Sequence, residues 1–316
     1  MRTVAVDILT GFLGSGKTTV LRHALDHGLK GKPVAVVMNE IGEIGIDGTV
    51  VTGLSAVEKM VELASGCICC TIDDYRFDLA IQEIIETVKP HLIVIESTGL
   101  ADPEPLVARV KQAGLGLDAI ITVVDAANVE RHLKESEVAA AQIEAADFLV
   151  VNKRDLVSDA EAARVERRLG RFNARAERFQ TVRGALDSEL LFATGVASYR
   201  EHGGERAAPS PKHADGIASF VYRTARALRQ EPFERFLAAL PSDVLRAKGL
   251  VRFAEREWQG LFNFTCGRHE ITWLRLPEGV ESQAVFIGRN LGRHEPVLRA
   301  QLAACEAEDE RRAEHV

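Results

Sequence analysis

The sequence predicts a doubly wound α/β domain with a mostly parallel sheet, followed by a smaller α+β domain. Three observations predict it. Short apolar runs alternate with helical patterns through the first two thirds of the chain, the pattern of parallel βαβ units. The first run empties into a glycine-rich loop, Gly11 to Thr18, that leads into a helix. Near residue 200 the composition turns to Gly, Pro, Ser and charge, and short strands dominate beyond it.

Taken in order, the expected strands of the first domain are Val4 to Leu9, Val34 to Asn39, Leu92 to Glu96, Ala119 to Val124 and Phe148 to Asn152. Helices are expected over Thr19 to Leu29, Phe77 to Val88 and Pro105 to Ala113. Residues 1–198 form this domain, and 199–216, with few core residues, form a linker. In 217–305, strands are expected at Ile217 to Thr224, Gly249 to Ala254, Leu261 to Cys266, Glu270 to Leu276 and Gln283 to Ile287. Helices are expected near Pro232 to Leu240 and Pro296 to Glu306. Residues 306–316 are charged and poor in apolar residues, and read as a frayed tail. No internal repeat is visible.

The chemistry gathers at strand ends, where open α/β sheets bind ligands. Gly11-Phe12-Leu13-Gly14-Ser15-Gly16-Lys17-Thr18 fits G-x-x-x-x-G-K-[ST]. Its glycines turn backbone amides toward a polyphosphate, Lys17 adds a point charge, and Thr18 offers a hydroxyl to Mg²⁺. Gly11, Gly14, Ser15, Gly16, Lys17, Thr18 and Thr19 are thus candidate nucleotide-binding residues. The strand ending at Glu96-Ser97-Thr98-Gly99 places an acid and a flexible turn where a Mg²⁺-linked carboxylate and a γ-phosphate sensor belong. Lys17, Thr18 and Glu96 are the candidate catalytic residues.

A third strand empties into Asn152-Lys153-Arg154-Asp155. The Asp155 carboxylate matches the N1 and 2-amino donors of guanine, which adenine lacks, Asn152 meets the remaining edge, and the Lys153 stem covers the ring. A buried set of paired hydrogen bonds discriminates strongly, because the wrong base leaves polar groups unsatisfied. GTP is therefore favoured over ATP.

Three of the five cysteines, Cys67, Cys69 and Cys70, fall within four residues. Three thiolates this close supply most of a tetrahedron to Zn²⁺ or another borderline ion, with a carboxylate, His or water completing it. A redox pair, or buried inert cysteines, are the competing readings. The segment Asn39 to Gly48 combines three glycines with three acids, Glu40, Glu43 and Asp47, a composition suited to a loop that approaches a cation.

Composition bounds the class. With 316 residues, 46% hydrophobic and 27% charged, the chain is long enough for two domains with full cores. A net charge of −7 and the absence of a basic, aromatic-interleaved stripe argue against nucleic acid. The first residues lack a secretory pattern, and no run reaches the roughly eighteen apolar residues of a membrane span. An odd number of cysteines fits a reducing compartment, so a cytoplasmic protein is expected.

These motifs, in this order, resemble the CobW-type P-loop GTPases, which are related to the nickel GTPases that mature urease and hydrogenase. Gly11 to Thr19, Asn39 to Glu43, Cys67 to Cys70, Glu96 to Gly99 and Asn152 to Asp155 carry the resemblance, which spans nearly the whole chain. It implies a P-loop GTPase domain, a CobW-type C-terminal domain, and a GTP-dependent metallochaperone or metal-insertase serving a client metalloprotein. With the resemblance, Glu40 or Glu43 becomes the candidate fourth metal ligand. The nucleotide is GTP or GDP, Mg²⁺ is organised by Thr18 with Asp47 or Glu96, and the cargo is Zn²⁺ or another transition metal such as Co²⁺.

Two departures are visible. Met38 stands where some relatives carry a carboxylate, and no histidine-rich run is present, which argues against bulk metal storage. Of the nine histidines, His213, His269 and His294 read as solvated or packed. Position 12 is Phe rather than the extra lysine of dimer-switch ATPases, and no arginine is placed as a finger, so slow hydrolysis stimulated by metal or a partner is expected. A non-catalytic metal sensor or buffer with structural nucleotide, and a small-molecule P-loop kinase, are the alternatives. Client, physiological metal and homo-oligomerisation are left open by the sequence.

Overall fold

The computed structural model describes residues 4–27, 29, 33–38, 59–62, 74–186, 188–192, 217–274 and 281–307. They divide into two compact units, one within Thr3–Gly195 and one within Val196–Val316. The segment read as a linker, 199–216, and the tail beyond residue 307 lie outside the described residues. So do Glu40, Glu43, Asp47, Cys67, Cys69 and Cys70.

The first unit is a seven-stranded sheet in the order β3-β2-β4-β1-β5-β6-β7. Its strands are β1 Ala5–Thr10, β2 Val34–Met38, β3 Lys59–Glu62, β4 Leu92–Glu96, β5 Gly116–Asp125, β6 Phe148–Asn152 and β7 Glu177–Gln180. Every pairing is parallel. The central strands are apolar without alternation because helices cover both faces of such a sheet; β2, β4 and β6 are buried at every residue. The helices are α1 Lys17–His27, α2 Asp74–Thr87, α3 Pro103–Gln112, α4 Val129–Glu135, α5 Glu137–Ala145, α6 Asp159–Phe172 and the short α7 Ser188–Phe192.

Several expected boundaries move. β5 runs from Gly116 to Asp125 rather than from Ala119 to Val124, and β1 extends one residue to Thr10. α1 starts at Lys17, directly from the loop, and ends at His27 rather than Leu29. α2 begins at Asp74 rather than Phe77. α3 starts at Pro103, not Pro105, because Asp102 caps it, accepting from Glu104 N, and proline suits the first helical position. The edge strands β3 and β7, and helices α4 to α6, had no counterpart in the expected elements. Four-residue edge strands of mixed polarity carry little periodic signal.

The second unit is an antiparallel five-stranded sheet in the order β11-β10-β9-β12-β8. Its strands are β8 Ile217–Thr224, β9 Val244–Val251, β10 Gln259–Thr265, β11 Arg268–Leu274 and β12 Ser282–Arg289, with helices α8 Gln230–Ala238 and α9 Leu291–Ala304. Its core is aromatic: Phe233 meets Phe262 edge-on at 5.1 Å, and Phe220 stacks on Phe286 at 4.9 Å. β9 was expected at Gly249 to Ala254; it runs from Val244 to Val251, with the charged Arg246 and Lys248 buried within it. β10, β11 and β12 likewise begin one or two residues before their expected starts.

α8 starts at Gln230 and ends at Ala238, two residues ahead of its expected span at each end. The last helix was expected to begin at Pro296 but begins at Leu291 and carries the proline inside. Glu306, assigned to the frayed tail, is tied down: it accepts from Tyr222 Oη at 2.6 Å and from Arg226 Nη1 at 3.4 Å.

Candidate functional site

β1 delivers the phosphate-loop sequence at the carboxyl end of the first sheet. Ser15 N donates to Phe12 O at 3.1 Å, closing a tight turn, and Val20 N donates to Gly16 O at 3.0 Å as α1 begins. Two glycines are there for space. A β-carbon on Gly11 (φ +140°) would stand 2.2 Å from Val123 O, and one on Gly16 (φ +99°) would stand 2.4 Å from Asn152 Nδ2. Lys17 Nζ donates to Gly11 O at 2.9 Å, lying back across the loop. Ser15 is 1% exposed, and its Oγ has no hydrogen-bond partner among the described residues.

The Glu96 turn lies against that loop. Thr18 Oγ1 donates to Glu96 Oε1 at 3.1 Å, although the two are 78 residues apart. Ser97 N donates to Leu9 O at 2.9 Å and Ser97 Oγ to Thr10 Oγ1 at 2.8 Å, fastening the turn to the end of β1. Gly99 is so close to the loop that a β-carbon would fall 2.7 Å from Leu13 N. Thr18 and Glu96 therefore present hydroxyl and carboxylate oxygens side by side, the hard donors that Mg²⁺ takes.

Asn152 joins the base motif to the phosphate loop. Its Nδ2 donates to Ser15 O at 3.0 Å, and its Oδ1 accepts from Gly184 N at 3.1 Å. Lys153 follows in the left-handed region (φ 61°, ψ 35°), and a single 3₁₀ turn, Arg154–Leu156, carries Asp155 into solvent. Lys17, Thr18, Glu96 and Asn152 thus come together at one end of the sheet. Among the described residues no group of three or more His, Cys, Asp or Glu is arranged to hold a metal ion.

The structure adds residues that the sequence reading passed over. The turn Thr181 to Ala185 brings Gly184 (φ +72°) against the first turn of α1, where a β-carbon would lie 2.8 Å from Val20 Cα. Gln142, 1% exposed on α5, donates to Ala101 O at 2.9 Å and Gly99 O at 3.3 Å, holding the turn after β4 from behind. Phe12 packs on His132 of α4, ring centroids 4.5 Å apart. Burial holds the His132 imidazole below its ordinary pKa, although Asp125 pulls the other way.

Asp125 closes β5 and bonds Lys153 Nζ at 2.7 Å. Burial pushes its carboxyl up, but hydrogen bonds from Lys153 and Asn128 prevail and hold it below the usual carboxylate range. The signal for Asp125 was present: an apolar strand ending in an acid, the same pattern that marked Glu96.

Comparison with known proteins places the chain. The model of the CobW/HypB/UreG nucleotide-binding domain matches residues 5–180, and that of the cobalamin synthesis protein cobW C-terminal domain matches residues 217–306. The zinc-regulated GTPase metalloprotein activator 1 of Schizosaccharomyces pombe is 30% identical over 93% of this chain and 84% of its own length. The zinc chaperone YjiA of Escherichia coli is 36% identical, the match covering 61% of this chain and 62% of that protein. The crystal structure of Zn(II)-bound YjiA GTPase from E. coli aligns at 27% identity over 97% of this chain and all of that one, with a TM-score of 0.47. With more than half of its length matched by the nucleotide-binding domain and a relative similar almost end to end, the chain belongs to the CobW/HypB/UreG family.

Proposed function

We propose that the chain hydrolyses GTP and couples its nucleotide state to delivery of a transition metal, zinc first, to a client metalloprotein. The observation that carries the nucleotide half is the convergence at one sheet end: Thr18 donates to Glu96 while Asn152 reaches back to Ser15. The metal half is supported by Cys67, Cys69 and Cys70 and by the zinc-chaperone names of relatives.

In this reading the backbone amides of Gly14 to Thr19 take the phosphates and Lys17 exchanges Gly11 O for a phosphate oxygen. The buried Ser15 hydroxyl and the loop glycines fit a close-lying phosphate chain. Asp155 and Asn152 read the guanine edge. Thr18 and Glu96 would hold Mg²⁺, which would supply neutralisation of the charge on the phosphate chain. Ser97 to Gly99, fastened to Thr10 and pressed on Leu13, transmit the presence or loss of the γ-phosphate. Water displaces GDP at the γ-phosphorus, releasing phosphate.

Metal coupling requires different metal affinities in the two nucleotide states. Cys67 to Cys70 lie in sequence between β3 and α2, on the stretch of chain that joins the Asn39 to Gly48 segment to the strand ending in the Glu96 turn, and a metal held there would have different surroundings in the two nucleotide states. The test is GTP hydrolysis by metal-free protein titrated with Zn²⁺ and Co²⁺, beside a Cys67→Ala/Cys69→Ala/Cys70→Ala variant. A change in turnover at near-stoichiometric metal, absent from the variant, is expected. Turnover indifferent to metal in both proteins would refute the coupling.

A further inference from the structure

The nucleotide end of the first sheet holds a carboxylate that the mechanism above does not use. Asp125 is 2% exposed and sits opposite Asn152 in the β5–β6 register. Its Oδ1 accepts from Ala127 N at 2.9 Å, starting the turn into α4. Oδ2 accepts from Asn128 Nδ2 at 2.9 Å and from Lys153 Nζ at 2.7 Å. A carboxylate this desolvated stays charged because such donors surround it.

Lys153 is held at both ends. Its left-handed backbone fixes where the side chain departs, and the bond to Asp125 fixes the ammonium. Between them runs the apolar four-carbon stem, with the side chain still 32% exposed and so open to a ligand on one side. A lysine free in solution would adopt many rotamers; paired with Asp125, its ammonium is fixed in place and its charge is balanced by the carboxylate.

We propose that Asp125 is a positioning residue for guanine: it clamps the Lys153 ammonium so that the stem forms a fixed apolar platform for the base between Asn152 and Asp155. The proposal rests on the guanine-nucleotide reading of this site. It predicts a loss confined to the base, because phosphate binding runs through Gly11 to Thr19.

The experiment measures affinities of the full chain in Mg²⁺ buffer for GTP, ATP and inorganic tripolyphosphate by displacement of a fluorescent guanine nucleotide. Asp125→Asn is expected to weaken GTP about ten-fold, roughly 1.4 kcal/mol, and to leave tripolyphosphate unchanged. Lys153→Met keeps the stem but loses the bond, and is expected to weaken GTP alike; the double variant should be no weaker than either.

GTP affinity unchanged in Asp125→Asn overturns the proposal, as does equal weakening of GTP and tripolyphosphate, the mark of a merely structural role. Should Asp125→Asn fail to fold, Lys153→Met decides alone, and wild-type GTP affinity there overturns the clamp. Failure of the guanine reading itself shows separately, in wild-type protein that binds ATP as tightly as GTP.

Discussion

Gly16 shows how tightly single residues are specified at this site. At φ +99° an L-residue is strained, and its β-carbon would meet Asn152 Nδ2 at 2.4 Å, the atom that bonds Ser15 O. Backbone strain of this kind costs about 1–3 kcal/mol, and here it would also push away the side chain joining the base motif to the phosphate loop. Gly16→Ala should therefore weaken GTP by about ten-fold or more in an equilibrium titration, with the far-ultraviolet circular dichroism spectrum retained. Gly14 is the contrast within the same loop: it too has positive φ, yet nothing lies within 4 Å of an added β-carbon. Its need is conformational freedom alone, so Gly14→Asn, which tolerates the left-handed region, is the milder change.

At the scale of elements, α6 is the clearest case of local chemistry setting a boundary. Ser158 accepts from Glu161 N, and Glu161 reaches back to Ser158 N at 2.8 Å, a complete capping box. Ala162, Val165 and Leu169 then fall on one buried face. Ser158→Ala should cost about 1 kcal/mol, read as a lower urea midpoint with an unchanged slope. That helix was legible in Ser158-x-x-Glu161, yet it went unread because its arginine-rich face masks a narrow apolar stripe. The strands β2, β4 and β6 were legible to within a residue because burial on both faces leaves an unbroken apolar run. β9 was not, because burial of Arg246 and Lys248 is a tertiary fact that no local pattern records. The site divides in the same way: Lys17, Thr18, Glu96 and Asn152 belong to contiguous motifs, whereas the clamp of Asp125 on Lys153 exists only once β5 and β6 lie side by side.

At the scale of the whole molecule, each unit closes a core of its own. The parallel sheet is packed by residues such as Ile8, Val37, Phe77 and Ile95, and the antiparallel sheet by Phe233, Phe262 and Phe286. Every described candidate nucleotide residue lies in the first unit, so residues 1–195 alone should bind GTP as tightly as the full chain. Saturation at a hundred times the dissociation constant should stabilise that fragment by about 2.7 kcal/mol, read as a rise in melting temperature. Fragment binding much weaker than that of the full chain would place part of the pocket beyond residue 195.

The strand order has a further consequence, for synthesis. β1 leads into the phosphate loop and leaves the ribosome well before its sheet neighbours β4 and β5, whose first paired residues are Leu92 and Gly116. At about 5–20 residues per second, this apolar strand waits several seconds with both edges open. Asn152 and Gly184, which brace the loop, arrive later still. GTP therefore meets a braced phosphate loop only after Gly184 has emerged, when the strands of the first unit have all been synthesised.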